Sequence, residues 1–255
     1  MKRESWPPTR QHVSELAYMS LSPAHYKAAY TDPRETSAAM RIGTAAHAFA
    51  LGGARVAVYD GDARRGKAWE AFEEENSDKD VIITAPERDQ CMRIVESLMA
   101  HPEAGPMIAR ARKEVALEWS AYGIDCAGRI DGITEDGIFD LKTCSLAEPG
   151  VFQRRGLYMH MPAKMAWYLR GAKENKLPHA TARLVAVETK PPYAATVFQL
   201  TPKALEQGDK SIRIWVERLK VCRASNVWPA YSQAVVDFDV PDEVELTFGA
   251  EEIPF

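Results

Sequence analysis

Asp131 and Asp140 lie in one short stretch, Gly128-Arg-Ile-Asp-Gly-Ile-Thr-Glu-Asp-Gly-Ile-Phe-Asp-Leu-Lys142, and their spacing restricts what the chain can fold into. Thr134-Glu-Asp-Gly137 is turn-forming, and the isoleucines and phenylalanine on either side are β-type residues. A hairpin follows. With those four residues as its loop, Ile133 pairs with Ile138, and counting back sets Asp131 opposite Asp140. Opposed strand residues have Cβ atoms ~5 Å apart, where like charges repel. A fold gains nothing from two carboxylates so placed, whereas a divalent cation between them would account for both. Side chains alternate along a strand, so Lys142 shares the face of Asp140.

Two acids and a cation on one face suit metal-assisted attack of water on a phosphodiester. Glu118, out of phase with apolar Leu117 and Trp119, reads as a third carboxylate for a second ion. His47 follows Gly43 by one helical turn and sits among Ala45, Ala46, Ala48 and Ala50, where a polar ring needs a partner to be buried. Imidazole suits Mn²⁺ better than Mg²⁺.

The rest of the 255-residue chain sets bounds, and 46% apolar residues are enough for a real core. There is no apolar run long enough for a membrane span, and the first residues lack the apolar core of a signal peptide. A cytoplasmic protein is expected. Cys91, Cys126, Cys144 and Cys222 are scattered, which argues against a zinc ribbon, a redox dithiol or an iron–sulfur site. The net charge is −4, yet residues 151–190 hold eight basic and two acidic residues, and residues 229–255 hold seven acidic residues and no basic one. Such a layout allows a basic DNA-facing surface on an acidic molecule.

The patterning predicts a helix over residues 12–30 ending near Pro33, a small-residue helix over 37–51, and an exposed charged helix or excursion over 60–80. Thr84-Ala-Pro-Glu87 is a capping box that opens a helix to about Ala100. Strands then run through Val115–Trp119 and the hairpin, with a helix over 160–173, strands over 182–188 and 194–200, and a long helix from Pro202 to Cys222. This order is an α/β or α+β sheet flanked by helices. It is treated as a single domain, with a mainly helical part over 1–110, a core over 111–231 and an acidic tail over 232–255.

Asp131…Asp140-Leu-Lys142 resembles the PD-(D/E)xK nuclease superfamily, with Asp where Glu is commoner, and Gly43-x-x-x-His47 resembles its RecB-like branch. Four further stretches narrow the likeness: Leu21-Ser-Pro-Ala-His-Tyr26, Ala39-Met-Arg-Ile-Gly-Thr-Ala-Ala-His47, Val187-Glu-Thr-Lys-Pro-Pro-Tyr193 and Cys222-Arg-Ala-Ser-Asn-Val-Trp-Pro-Ala-Tyr231. Together they resemble the carboxy-terminal nuclease domain of RecE (exonuclease VIII) and its phage and prophage relatives, over about residues 12–231.

The resemblance implies a restriction-endonuclease-like central mixed sheet flanked by helices. It also implies a Mg²⁺-dependent 5′→3′ exonuclease, with Mn²⁺ as a substitute, acting on double-stranded DNA ends. Such an enzyme leaves 3′ single strands for an annealing partner in recombination and assembles as a homo-oligomeric ring. Carried over by position, Asp131, Asp140 and the Leu141 carbonyl become metal ligands, Glu118 and His47 complete the shell, and Lys142 acts on the attacking water. Relatives carry Gln-x-x-x-Tyr on the helix after this core. Here Lys164 stands at the Gln position and Tyr168 keeps its place. Lys164, Tyr168, Arg41, Arg129, Arg154 and Arg155 are the expected DNA contacts. A structure-specific or single-strand nuclease on the same core, and an inactive DNA-end-binding scaffold, are the alternatives.

Overall fold

The structure is a computed structural model that describes residues 6–32 and 36–238. Pro33 and most of the acidic tail therefore lie outside the described residues. The first expected helix is broken into α1 (Val13–Leu16), a 3₁₀ turn and α2 (Pro23–Thr31). Pro23 causes the break, since it cannot continue a helix but suits a first turn, and the Ser22 side chain caps α2 by accepting from the His25 N–H. Next come α3 (Ala38–Leu51), β1 (Val56–Tyr59), α4 (Lys67–Glu75), β2 (Val81–Thr84), α5 (Ala85–Ala100) and α6 (Ala104–Arg110). Ser37 caps α3, and the Thr84/Glu87 capping box opens α5 as expected.

The sheet is built from β3 (Arg112–Ala121), β4 (Ile124–Ile133), β5 (Gly137–Cys144), β6 (Thr181–Glu188) and β7 (Ala195–Gln199), in that spatial order. Between β5 and β6 run α7 (Pro149–Tyr158) and α8 (Met161–Glu174), and α9 (Pro202–Ser225) closes the described chain. Only β5 and β6 pair in parallel, which requires the α7–α8 crossover, so the sheet is mixed. β1 and β2 form a separate parallel pair.

Each face of the sheet has its own apolar layer. On one, Leu117, Trp119, Ile133, Ile138 and Leu184 pack with Trp167 of α8 and Trp215 of α9. On the other, Phe139, Leu141, Val185 and Val187 pack with Ala45 and Ala46 of α3 and Ile94 and Leu98 of α5. β5 and β6 are thus buried on both sides, as central parallel strands are, and carry near-continuous apolar runs.

α8 lies close to the sheet because glycines make room. A Cβ on Gly128 would stand 2.7 Å from the Tyr168 ring, and one on Gly171 would stand 2.8 Å from Trp119. A Cβ on Gly132 would collide with the Phe139 ring. Gly132→Ala is expected to lower unfolding free energy by about 1–3 kcal/mol through overpacking. Chemical denaturation should show a lower midpoint with an unchanged slope.

Candidate active site

The hairpin has the expected register, with Ile133 opposite Ile138 and Gly132 opposite Phe139. There the ladder ends. The next available donor, the Leu141 N–H, goes to the Asp131 carboxylate (Oδ2, 2.7 Å) instead of to a β4 carbonyl. A side chain has taken the place of a backbone acceptor, so β4 and β5 part at the level of Asp131 and Asp140 and the site opens between them.

The Leu141 carbonyl, released from the same ladder, accepts from His47 Nε2 at 2.6 Å and from Lys142 Nζ at 3.0 Å. Because a carbonyl only accepts, Nε2 carries the proton. Nδ1 then faces Asp131 Oδ2 at 3.8 Å. Gly43 lets α3 come near enough for this, since a Cβ there would already stand 3.0 Å from Thr143 Oγ1. The Gly43/His47 pairing is a close-approach device for one imidazole.

Glu114 completes the cluster, and sequence reasoning passed over it. A donor atom each from His47, Glu114 and Asp131 lie within 4.8 Å of one another. Glu114 stands opposite Asp131 at the point where β3–β4 pairing is interrupted between Lys113↔Gly132 and Val115↔Ile130. Its φ of 53° is left-handed, which breaks the in–out alternation of the strand. The break shows in β4 too, where Ile130 and Ile133 are three apart yet pack in one core layer. Glu114 rests against Gly53, where a Cβ would come within 2.6 Å of its side chain. The spacing of Ile130 and Ile133, out of step with period two, was the available signal.

Glu118 was expected in this place and is not there. Its side chain is 64% exposed and pairs with Arg10 at 3.0 Å, on the regular part of β3. The carboxylate near the site is Glu114, four residues back along β3 from Glu118.

Asp140 is fully buried, and its charge acts on Asp131 of the trio. Lys142 Nζ pairs with Asp140 Oδ2, and Lys164 Nζ lies 2.9 Å from Asp140 Oδ1. Burial opposes ionisation of Asp140, but the two ammonium groups outweigh it and hold the carboxyl far below its ordinary range. Asp131 goes the other way, its pKa raised by burial and by the charge of Asp140. Lys142 is pushed down by burial and by Lys164, against the pull of the two aspartates. Lys164 is therefore an ion-pair partner of Asp140, and its Nζ also lies 5.5 Å from the Tyr168 ring centre. Tyr168 is buried and its hydroxyl pKa is pushed up to about 12 by that burial.

The other expected DNA contacts are dispersed. Arg129 pairs with Glu114 (3.3 Å) and is partly exposed. Arg41 is drawn to the capping-box Glu87 at 3.6 Å and donates to the Thr36 carbonyl. Arg154 and Arg155 are exposed on α7, with Arg155 donating to Ser145 Oγ.

The donor set fits a hard divalent cation. Two carboxylates, an imidazole and a backbone carbonyl converge at one partly accessible point, the mixture expected for Mg²⁺ or Mn²⁺ rather than for a thiolate-bound metal. The four cysteines are all free and buried.

A mixed sheet carrying two neighbouring aspartates and an Asp-x-Lys run on β5, with a helical histidine over it, is the arrangement of a PD-(D/E)xK architecture. The chain belongs to the family of the PDDEXK-like domain of unknown function (DUF3799), which it matches over residues 12–237. Its fold is shared by a crystal structure described as a "putative exonuclease" from Eubacterium rectale, at 12% identity and a TM-score of 0.66, covering 94% of this chain and 97% of that one. No curated protein matches the sequence.

A carboxyl whose folded pKa is raised opposes folding wherever it is ionised, and the penalty fades as pH falls through that pKa toward the ordinary value near ~4. Asn keeps an acceptor for the Leu141 N–H and removes the charge. Asp131→Asn should therefore raise the metal-free melting temperature at pH 8, with the gain shrinking to nothing near about pH 4. Thermal unfolding in chelator across that range checks the sign, and a lower melting temperature at pH 8 would contradict it.

Proposed function

We propose that the chain is a divalent-metal-dependent nuclease that degrades linear duplex DNA from its ends. The observation that carries this reading is the convergence of His47, Glu114 and Asp131 beside the Asp140–Lys142 pair, where β4 and β5 part. The fold shared with a structure described as a "putative exonuclease" supports action at ends.

His47, Glu114, Asp131 and the Leu141 carbonyl would hold the ion. When bound it supplies Lewis-acid stabilisation of the charge that develops on the phosphate. The chain's own residues do the rest. Lys142 Nζ, on a side chain 22% exposed, donates to the attacking water to orient it and screens the charge of the phosphate. Asp140 fixes that ammonium in place, and buried Leu141 and Phe139 keep the strand rigid beneath it. Water adds to phosphorus, the ester P–O bond breaks, and the proton the water loses goes to solvent, which also protonates the departing oxygen.

The finer reading follows the resemblance to RecE-type exonucleases. Digestion runs 5′→3′, Mg²⁺ is the working ion with Mn²⁺ as substitute, and the 3′ strand is left for a single-strand annealing protein in recombination. A homo-oligomeric ring in a bacterial cytoplasm encloses the duplex. No helix among the described residues is long and apolar enough to cross a membrane.

Duplexes labelled at either the 5′ or the 3′ end test this directly. Early release of 5′ label with Mg²⁺, and survival of closed circular duplex, are the expected results, whereas rapid cutting of closed circles would favour a structure-specific nuclease. Lys142→Ala should retain ion binding in calorimetry while single-turnover cleavage falls by about 10²–10³. Binding should weaken steeply with salt, because most contacts are to phosphates, and light scattering that shows a monomer would remove the ring.

A further inference from the structure

Three consecutive large apolar side chains stand in solvent where α7 ends: Leu157 is 64% exposed, Tyr158 84% and Met159 50%. Among the described residues no other run of three is so exposed. Single exposed apolar residues are ordinary, whereas a contiguous patch marks an interaction surface. The run is also held still. The Met159 N–H closes the helix on the Arg155 carbonyl (2.9 Å), the His160 N–H bonds the Leu157 carbonyl (3.1 Å), and the His160 ring meets Ser20 Oγ at 2.9 Å.

Beside the run lies an apolar recess of about 260 Å³. Phe152 and Phe198, stacked with ring centres 4.9 Å apart, line it together with Leu184 and Leu200. Gln153, Gln199 and Thr201 add polar groups to its wall, which contains no charged side chain. It sits at β7, beyond which no further strand pairs among the described residues. A cavity of ~150 Å³ holds a benzene ring, so this one has room for an aromatic side chain. An uncharged wall suits neither a phosphate nor a metal ion. It suits a ring with an apolar body and a hydroxyl tip, which the two amides and the threonine hydroxyl can meet. Tyr158 is such a ring, and at 84% exposure it does not fill the recess of its own chain.

We propose that a second copy of this chain occupies the recess, with each copy placing Tyr158 in the groove of the other about a two-fold axis. Leu157 lines the recess and adjoins Tyr158 in the chain, so ring and recess belong to one patch. A patch that carries both parts is self-complementary, as a two-fold contact requires. The contact supplies one interface of the homo-oligomer proposed above, and it rests on that self-association and not on the metal site. Because it joins copies in pairs, an assembly built with it holds an even number of chains.

Cross-linking and sedimentation of the full-length protein test this. Met159→p-benzoylphenylalanine keeps Tyr158 and sets a photoreactive group beside it. Light and ¹⁵N-labelled copies are mixed and irradiated, and the cross-linked peptides are read by mass spectrometry. Hybrid light–heavy cross-links from position 159 to residues 152–162 or 198–204 are expected. Tyr158→Ser and Leu157→Ser, each checked for folding by circular dichroism, should weaken self-association by about 30-fold or more, as loss of a buried anchor does. Absence of hybrid cross-links to those residues, or unchanged association in the folded variants, overturns the contact and leaves a ring built on other surfaces standing. A wild type that forms dimers and nothing larger, with the hybrid cross-links present, supports the contact and removes the ring. A monomeric wild type at working concentration overturns both.

Discussion

One hydrogen bond organises the active region: the Leu141 N–H donates to the Asp131 carboxylate. In an ordinary hairpin this donor would go to a carbonyl of the neighbouring strand. Giving it to a side chain ends the ladder, separates β4 from β5, and frees the Leu141 carbonyl to meet His47 and Lys142. The bond also helps fix a buried carboxylate where the fold alone would disfavour one. Two unit charges ~5 Å apart at an effective dielectric of ~20 repel by about 3 kcal/mol. For Asp140 two closer ammonium groups exceed that repulsion, so the strain falls on Asp131, the residue whose pKa moves upward.

Around this bond, small residues decide which elements reach the site. α3 brings His47 to Leu141 because Gly43 lets it approach Thr143, and alanines line its buried side. α8 brings Lys164 to Asp140 because Gly128 and Gly171 accept Tyr168 and Trp119. The two helices pack on opposite faces of the sheet, and both send a side chain to residues 140–141 in the middle of β5. A helix shift of one side chain's width on either face would dissolve the constellation.

Much of this was legible in the sequence, for physical reasons that can be named. The turn residues Thr134–Gly137 set the hairpin register, and that register predicted the Asp131/Asp140 apposition. The capping box at Thr84 and Glu87, and the small-residue helix carrying His47, were equally readable, because capping and periodicity are local. What failed was non-local or depended on backbone conformation. Glu114 was passed over because a left-handed φ is not written in its residue type. β1 and β2 are four residues each, too short for a pattern, and α7 was passed over between the hairpin and the α8 prediction. Pro23 was visible, but its power to split the first helix was underweighted.

The basic stretch over residues 151–190 shows why net local charge is a poor guide to surface charge. Lys164 is used on Asp140, Arg170 on Asp209, and Arg183 on Asp136 at the hairpin turn. These cations neutralise the chain's own acids and hold α8, α9 and β6 in register with the hairpin. Arg154 and Arg155 on α7, with Lys173, Lys176 and Lys190, remain exposed. Arg155 reaches Ser145, just past the end of β5. The inward half of the basic stretch is spent on the chain's own acids, and the outward half stays in solvent.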